Sequence, residues 1–371
     1  MEEVSKMNGA DQNMWRSLAM SFRIELTFHA ANNEGAGGTN VMEPRRITVG
    51  DKEYDGISGE IIRRHILENF VKLCQQNGVP LHDRCKGLVP DRGLVDFVRL
   101  IKQKNWKHTS TDKQGKKKTK PGIDPINYPE ATEHLIKNCA LCDVGGFMYP
   151  LGEATQQLSQ ILGEKLEAMG GGLKRDSCFE VGWLISEHPA IVDYTQHSSY
   201  DPDPERHNLF VQNMRVGIYG GVLRIDLDRI GRNDWWWLNP KSNNNPNGFE
   251  EYALNLSGRL KRACLLLEAI KKWLLSPSFA KQAGWLQHQS GLLEGSIVLS
   301  KDGAAPFVSP IKFEIEDGKP IIKRNENYRS ILQDITDQDT NHYKKCDFNS
   351  PKELIEKINE ILKELRCQEN E

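Results

Sequence analysis

The chain has no long apolar run. Its most hydrophobic stretch, ACLLLEAIKKWLL, is broken by Glu268, Lys271 and Lys272, which excludes a membrane-spanning helix there. The opening residues, MEEVSKMNGADQNMW, are acidic and polar where an export leader would be basic and then apolar, so a cytoplasmic location is expected. An excess of one charge is also missing. With 49 Lys and Arg against 51 Asp and Glu, the net charge of −2 gives no global basic field, and any polyanion must be met by local patches. Cysteine is sparse and irregular. Eight in 371 residues argue against a disulfide framework and for free thiols with room for one metal site. No serine stands in an elbow motif, the ten histidines are scattered, and the carboxylates show no distinctive spacing, so no catalytic constellation is legible.

What is present reads as strands, glycine turns and amphipathic helices. Phe22, Ile24, Leu26, Phe28 and Ala30 alternate with Arg23, Glu25, Thr27 and His29, the period of a half-buried strand. Next comes the loop NNEGAGGTN at 32–40, then the basic stretch PRRITV. GISGEIIRRHILENFVKL follows, a helix with Ser58 as its cap and Ile62, Ile66, Phe70 and Leu73 on one face. LVDFVRLIKQKNW continues as helix, and KHTSTDKQGKKKTKPG, with no apolar residue, predicts a mobile basic loop. FEVGWLIS and MRVGIYGGVLRIDLDRIG are strands, the second with a bulge expected at Gly220 and Gly221. The excursion EHPAIVDYTQHSSYDPDPERHNLF between them is too long for a tight turn. LNLSGRLKRACLLLEAIKKWLL predicts a helix with Leu256, Leu260, Ala263, Leu267, Ile270 and Leu274 inward and Arg259, Lys261, Arg262 and Lys272 outward. FEIEDGKPII is a hairpin turning at Asp317 and Gly318, and SPKELIEKINEILKEL is a closing helix. The irregular alternation points to an α+β class: an antiparallel sheet backed by helices, with large insertions.

Three stretches carry chemistry. GAGGTNVMEPRR lacks the spacing of a dinucleotide fingerprint, but its glycines expose backbone N–H groups and let another backbone come close, which suits a phosphodiester chain; a plain flexible turn is the bland alternative. The helix start at Ser58 and Gly59 favours anions, with Arg63 and Arg64 one turn inside; solvated arginines on a capped helix are its ordinary counterpart. HDRC at 82–85 and CALC at 139–142 supply His82, Cys85, Cys139 and Cys142, two pairs able to close a tetrahedron around a structural zinc ion. The competing reading makes His82 a surface histidine and Cys139 a core thiol. The tryptophans at 235–237 are read as core or interface wedges and left out of the site.

Four blocks in order, ANNEGAGGTNVMEPRRITV, DGISGEIIRRHI, CALCDVGGFMYP and MRVGIYGGVLRIDL, resemble the DevR-type backbone subunit of type I CRISPR interference complexes, the Cas-seven family of the RAMP superfamily, closest to its I-A and I-B group. The resemblance spans about residues 20–275. It implies an RRM-like (ferredoxin-like) palm with a helical finger lobe and an extended thumb, copies of which stack along a guide RNA (crRNA) in a Cascade assembly for antiviral defence. Carried onto this chain, residues 1–18 form a flexible tail. A single discontinuous domain spans 19–366, with insertions at about 76–142 (the finger, holding the zinc residues), 151–172 and 187–210 (the thumb). RNA contacts fall to Gly35, Gly37, Gly38, Thr39, Asn40, Arg45, Ser58, Gly59, Arg63, Arg64, Gly145, Gly146, His197 and Met214. The implied partners are crRNA, target DNA through the guide, further copies of the chain and other Cascade subunits, with no membrane. This chain departs from the family at Gly145 or Gly146, where a histidine is common, and the segment GEATQQLSQILGEKLEAMGGG has the look of an insertion.

Related type III subunits cleave RNA with a loop aspartate in a G-G-x-D context, and here the stretch reads Gly37, Gly38, Thr39, Asn40. An amide is neither a general base nor a metal-holding carboxylate, so binding without catalysis is expected. Two alternatives stand beside that expectation. One is a guide-dependent endoribonuclease using Asp226, Asp228 or Asp143, and the other is an autoregulatory factor working through protein partners.

Overall fold

A computed structural model of the chain describes residues 14–29, 33–35, 41–44, 46–89, 91–111, 113–163, 165–198, 209–277 and 291–367. The chain divides into two units, Met1–Ile66 with Glu180–Asp226 and Leu267–Glu371, and Leu67–Phe179 with Leu227–Leu266.

The first unit is organised around a sheet. The framework elements, of which α1 belongs to this unit as far as Ile66 and α2 from Leu267, run in the order β1 (Ser17–His29), α1 (Gly59–Gln76), β2 (Leu184–Pro189), β3 (Leu209–Asp226), α2 (Leu256–Leu275) and β4 (Leu293–Ser300). In the sheet the order is β4-β1-β3-β2, and β1 pairs antiparallel with both β4 and β3, as does β3 with β2. That βαββαβ order with antiparallel neighbours is the ferredoxin-like arrangement of an RRM-like palm. Lys52–Ile57 and Arg46–Val49 extend the sheet beyond β2, and Tyr343–Phe348 extends it beyond β4.

β1 sits between two neighbours, and both of its faces are covered. Phe22, Ile24 and Leu26 are fully buried, as the alternation predicts, and Leu18 and Met20 extend the same buried row toward the start of the strand. The other face differs from expectation, since Arg23 is buried as well, and past the irregularity the pairing His29↔Arg215 turns the buried His29 to the Ile24 face. Arg23 forms a two-pronged bond with Glu187, at 3.0 and 2.7 Å, and reaches Glu294 at 2.5 Å, so its charge is matched where water is excluded. On the same side Ala19 packs with Val298, Ala305, Tyr328 and Leu332. The closing helix, Pro351–Cys367, lies against β4 and Tyr343–Phe348.

The expected bulge at Gly220 and Gly221 is absent. Pairing runs unbroken from Ser17↔Asp226 to Leu26↔Gly217, and the irregularity falls between Leu26 and His29. Those glycines serve close packing instead: a Cβ on Gly221 would lie 2.2 Å from Leu184 Cδ2, and one on Gly220 would lie 2.7 Å from Ile311 Cγ2. FEVGWLIS forms two strands, Phe179–Val181 and Leu184–Pro189, parted where Gly182 N–H bonds to Val222 O at 2.8 Å. The hairpin Ile311–Glu316 with Lys319–Arg324 turns at Asp317 and Gly318, both at positive φ (50° and 76°), as a two-residue turn between twisted strands requires.

In the second unit the basic segment is not a loop. Lys107–Thr111 and Lys117–Pro121 pair as an antiparallel ribbon. Sequence periodicity also misplaced two arginines. Arg259 and Arg262 of α2 are only 7% and 3% exposed, because buried oxygens await them. Among the described residues no helix is long and apolar enough to cross a membrane.

Candidate metal centre and nucleic-acid interface

His82, Cys85, Cys139 and Cys142 come together in the second unit. His82 immediately precedes the short helix Asp83–Lys86, which carries Cys85. Cys139 caps the helix Ala140–Gly145, which carries Cys142, and its sulfur accepts the Cys142 N–H at 3.5 Å. A single backbone bond ties the two halves, Ala140 N–H to Pro80 O at 2.9 Å. All four side chains are buried, and their ligand atoms lie within 4.8 Å of one another. Cys85 Sγ is 3.8 Å from Cys142 Sγ, and Cys142 Sγ is 3.7 Å from His82 Nδ1. A zinc ion with bonds of about 2.3 Å to sulfur sets tetrahedral edges of about 3.8 Å, so the spacing fits.

The surroundings fit as well. Gly93 leaves room that a side chain would fill: a Cβ there would fall 2.7 Å from His82 Nδ1, 2.9 Å from Cys142 Sγ and 2.9 Å from Tyr149 Oη. Tyr149 Oη lies 3.5 Å from Cys142 Sγ and accepts the Gly93 N–H at 3.0 Å. His82 Nε2 is buried without a partner. Burial alone would raise the Cys139 thiol, but hydrogen bonds from Cys142, Cys85 and His82 hold it well below the usual thiol range. The hydrogen bond to Cys139 pushes Cys142 up, and Cys85 likewise. Sulfur ligates a cation as the thiolate, the form those hydrogen bonds favour at Cys139. The cluster could hold a metal; sequence reasoning found all four residues and missed Gly93 and Tyr149.

The other candidate region lies in the first unit, where β1 ends. Asn33–Gly35 and Val41–Pro44 pair as a small hairpin, with Gly35 opposite Met42. Val41 and Met42 in turn run parallel to Val211 and Gln212 of β3. The first half of β3 pairs with Ile191–Ser198, setting His197 opposite Phe210 and Met214 opposite Asp193. Gly35, His197 and Met214 are therefore stations on one four-stranded ribbon. Gly37, Gly38, Thr39, Asn40 and Arg45 lie outside the described residues, as do residues 199–208 of the expected thumb.

The root of this ribbon is bolted to the sheet. Arg215, one residue after Met214, donates to Asp55, which also accepts Tyr219 Oη–H at 2.5 Å; Tyr219 Oη meets His29 Nε2 at 2.8 Å. Ser186 Oγ accepts the Asp55 N–H at 2.9 Å. Burial, and then the Asp55 charge, push the Tyr219 hydroxyl well above its usual range, so it stays a donor. Nothing in the local pattern of His29, Asp55 or Arg215 announced this network.

The other sequence-derived residues fall as follows. Ser58 caps α1, its Oγ accepting the Glu60 N–H at 3.2 Å. Gly59 is buried, and a Cβ there would lie 1.9 Å from Val181 O, so the strand Phe179–Val181 demands glycine. Arg63 is half-exposed and Arg64 exposed. Gly145 and Gly146 are buried, their carbonyls facing Arg92 at 3.4 and 2.9 Å. Gly146 has φ 66° and abuts Arg175 O, which accounts for its lack of a side chain.

Of the alternative aspartates, Asp143 is fully buried. Its carboxylate accepts from Arg175 and Arg262 at 2.7 Å each and from the Gly231 N–H at 3.0 and 3.1 Å. Asp228 accepts Tyr252 Oη–H at 2.8 Å and the Arg259 guanidinium at 3.5 Å. Asp226 ends β3 opposite Ser17.

An RRM-like sheet with an outlying ribbon, accompanied by a unit holding a buried Cys₃His cluster, defines the class of this protein. The chain belongs to the DevR/Csa2 family: residues 20–316 match the family of the CRISPR-associated negative auto-regulator DevR/Csa2. None of the curated proteins matches it. Among solved structures it is similar to a chain of a CRISPR RNA-guided surveillance complex, pre-nicking, at 12% identity over 76% of this chain and 78% of the other, with a TM-score of 0.40. A second CRISPR RNA-guided surveillance complex gives 11% identity over 75% and 68%, with a TM-score of 0.33. Csc2 of Thermofilum pendens gives 10% over 94% and 84%, with a TM-score of 0.35.

Proposed function

We propose that this protein is a guide RNA-binding backbone subunit of a DNA-targeting CRISPR complex, copies of which oligomerise along the crRNA beside other Cascade subunits. The observation that carries this reading is the ribbon at the end of β1. Two short strands, Asn33–Gly35 and Val41–Pro44, adjoin there the strand pair Ile191–Ser198 and β3, on a root fixed by the Asp55 network. A glycine-rich sequence such as the GAGGTN between those two strands suits backbone contact with phosphates without reading of bases, and guide pairing would supply the specificity toward target DNA. Gly35, Gly37, Gly38, Thr39, Asn40 and Arg45, with Arg63 and Arg64, are the contacts this reading uses, and His197 and Met214 lie along the thumb. Asn40 in place of an acid makes the role one of binding rather than cleavage. A structural zinc ion on His82, Cys85, Cys139 and Cys142 would cross-link Asp83–Lys86 to Ala140–Gly145 and take no part in chemistry.

The test is binding of purified protein to guide-length RNAs. The expected result is complexes whose mass grows stepwise with RNA length and whose affinity falls steeply with salt. Protein that neither shifts RNA nor co-purifies with it refutes the reading. The family's own description as a negative auto-regulator favours one second reading, control of expression through partner proteins. Wild-type RNA affinity in the Arg63→Ala, Arg64→Ala double variant would move the assignment toward it.

A further inference from the structure

A divalent cation held by three thiolates and a neutral imidazole carries a single net negative charge, and the His82, Cys85, Cys139 and Cys142 cluster would bury that charge away from water. A ligating histidine commonly steadies such a centre by donating its other ring N–H to a carboxylate or carbonyl. His82 turns Nδ1 toward the sulfurs, 3.7 Å from Cys142 Sγ, and its buried Nε2 meets no partner among the described residues. The outer hydrogen bonds lie on the sulfur side instead. Cys139 Sγ has the Cys142 N–H at 3.5 Å, and Cys142 Sγ has the Tyr149 hydroxyl, also at 3.5 Å. The direction of the second bond follows from its surroundings. Tyr149 Oη already accepts the Gly93 N–H at 3.0 Å, so its own hydrogen is left to donate, and a metal-bound thiolate has none to give back. The ring that carries the hydroxyl is held firmly: Tyr149 is only 3% exposed, and it stacks on Phe147 at 4.7 Å and 10° and on Phe97 at 5.7 Å and 29°.

We propose that Tyr149 is a positioning residue of this metal centre: its hydroxyl donates to the Cys142 thiolate, holding that sulfur in place and drawing charge off it. The inference rests on the metal reading of the cluster and deepens it by naming a group that sets the strength of metal binding. The relay runs from Gly93 N–H through Tyr149 O–H to Cys142 Sγ, and the amide behind the hydroxyl polarises it into a stronger donor than a phenol alone. Packing by itself would ask only for the ring. Phenylalanine fills such a stack, and a buried hydroxyl costs free energy unless it is bonded. The strand Phe147–Pro150 shows both choices on one buried face: the ring two residues earlier, Phe147, has no hydroxyl, and the hydroxyl stands at 149, where the sulfur is. Donors at Cys139 and Cys142 together offset the negative charge buried with the ion, and charge-assisted bonds of this kind are about twice as strong as neutral ones. A thiolate so restrained suits an ion that cross-links Asp83–Lys86 to Ala140–Gly145.

The test uses full-length protein expressed with cobalt(II) in place of zinc, and reads the sulfur-to-cobalt charge-transfer absorption beside zinc affinity by chelator competition. Tyr149→Phe keeps the ring and removes only the hydroxyl. Its charge-transfer band should move to longer wavelength, because a thiolate without a donor gives up an electron more readily, and its zinc affinity should fall about tenfold or more. Its melting temperature should drop further in the metal-loaded protein than in chelator. A ring-fluorinated tyrosine at position 149, a stronger donor of nearly the same shape, should move the band to shorter wavelength, and it carries the test if the phenylalanine variant does not fold by circular dichroism. A folded Tyr149→Phe protein with an unmoved band and wild-type zinc affinity overturns the proposal. So does an equal fall in melting temperature with and without chelator at an unmoved band, which assigns Tyr149 to packing alone. Wild-type protein that takes up neither cobalt nor zinc removes the metal reading and this inference with it, and leaves the guide RNA reading untouched.

Discussion

Replacing Gly93 by alanine separates a metal centre from an ordinary buried cluster. Gly93 has φ −86° and ψ 11°, a conformation any residue adopts, so the backbone raises no objection. The added Cβ would nevertheless sit 2.7 Å from His82 Nδ1 and 2.9 Å from both Cys142 Sγ and Tyr149 Oη. Ordinary contact lies near 3.5 Å, so two ligand atoms must retreat by roughly 0.6–0.8 Å, against a tolerance of about 0.2 Å in zinc coordination. Overpacking of this kind costs about 1–3 kcal/mol, partly offset by ~0.4–1 kcal/mol from the less mobile unfolded chain. Zinc affinity should fall by at least ~100-fold, about 2.7 kcal/mol. Zinc content by elemental analysis, competition with a chromophoric chelator, and the melting temperature with and without chelator provide the readouts. The wild-type protein should carry about one zinc per chain and lose stability on chelation, and the variant should carry little and respond little. A variant that binds zinc as tightly as wild type would refute the geometry, and metal-free wild-type protein would remove the metal.

Cys142→Ser should likewise lower the zinc content and loosen the second unit, seen as faster proteolysis between residues 67 and 179. Asp143→Asn should cost about 3–5 kcal/mol in urea unfolding, because Arg262 would keep its buried charge without a matching anion and Arg175 would be left with Asp234 alone; a loss under ~1 kcal/mol would refute the network's role. The Arg63→Ala, Arg64→Ala double variant should weaken guide RNA binding about tenfold and lower the salt slope by roughly 1–2, with no change in melting temperature. Gly318→Val should destabilise the hairpin Ile311–Arg324 by about 1–2 kcal/mol, measured by hydrogen exchange of its amides, since φ is 76° there and a β-branched residue avoids that region.

Periodicity reached the framework because the hydrophobic pattern is local. The core faces of β1 and α1, the cap at Ser58, the Asp317–Gly318 turn and the closing helix all follow from residues within a few positions of one another. It failed for Arg23, Arg259 and Arg262, which a binary pattern assigns to solvent. Each is buried because a carboxylate or carbonyl distant in the chain neutralises or accepts it: Glu187 for Arg23, Ile230 O for Arg259, Asp143 for Arg262. The basic ribbon reads as a mobile loop in sequence because the contacts that hold it, Asp124 and Gly170, lie outside the lysine run.

At the candidate metal centre the two cysteine-containing pairs were legible as ligands, because soft donors three residues apart are a chemical signature in themselves. Whether His82 and Cys85 would meet Cys139 and Cys142 was open, and folding decided it through the Ala140–Pro80 bond. The sequence alone thus determined which side chains were available: the ligating sulfurs, the permissive glycines and the cationic run. Tertiary structure decided which of them share a place, joining the β1 hairpin to β3 and seating a glycine against the cluster. The reason is that donor chemistry belongs to single residues, whereas distance and burial belong to pairs that only the folded chain brings within reach.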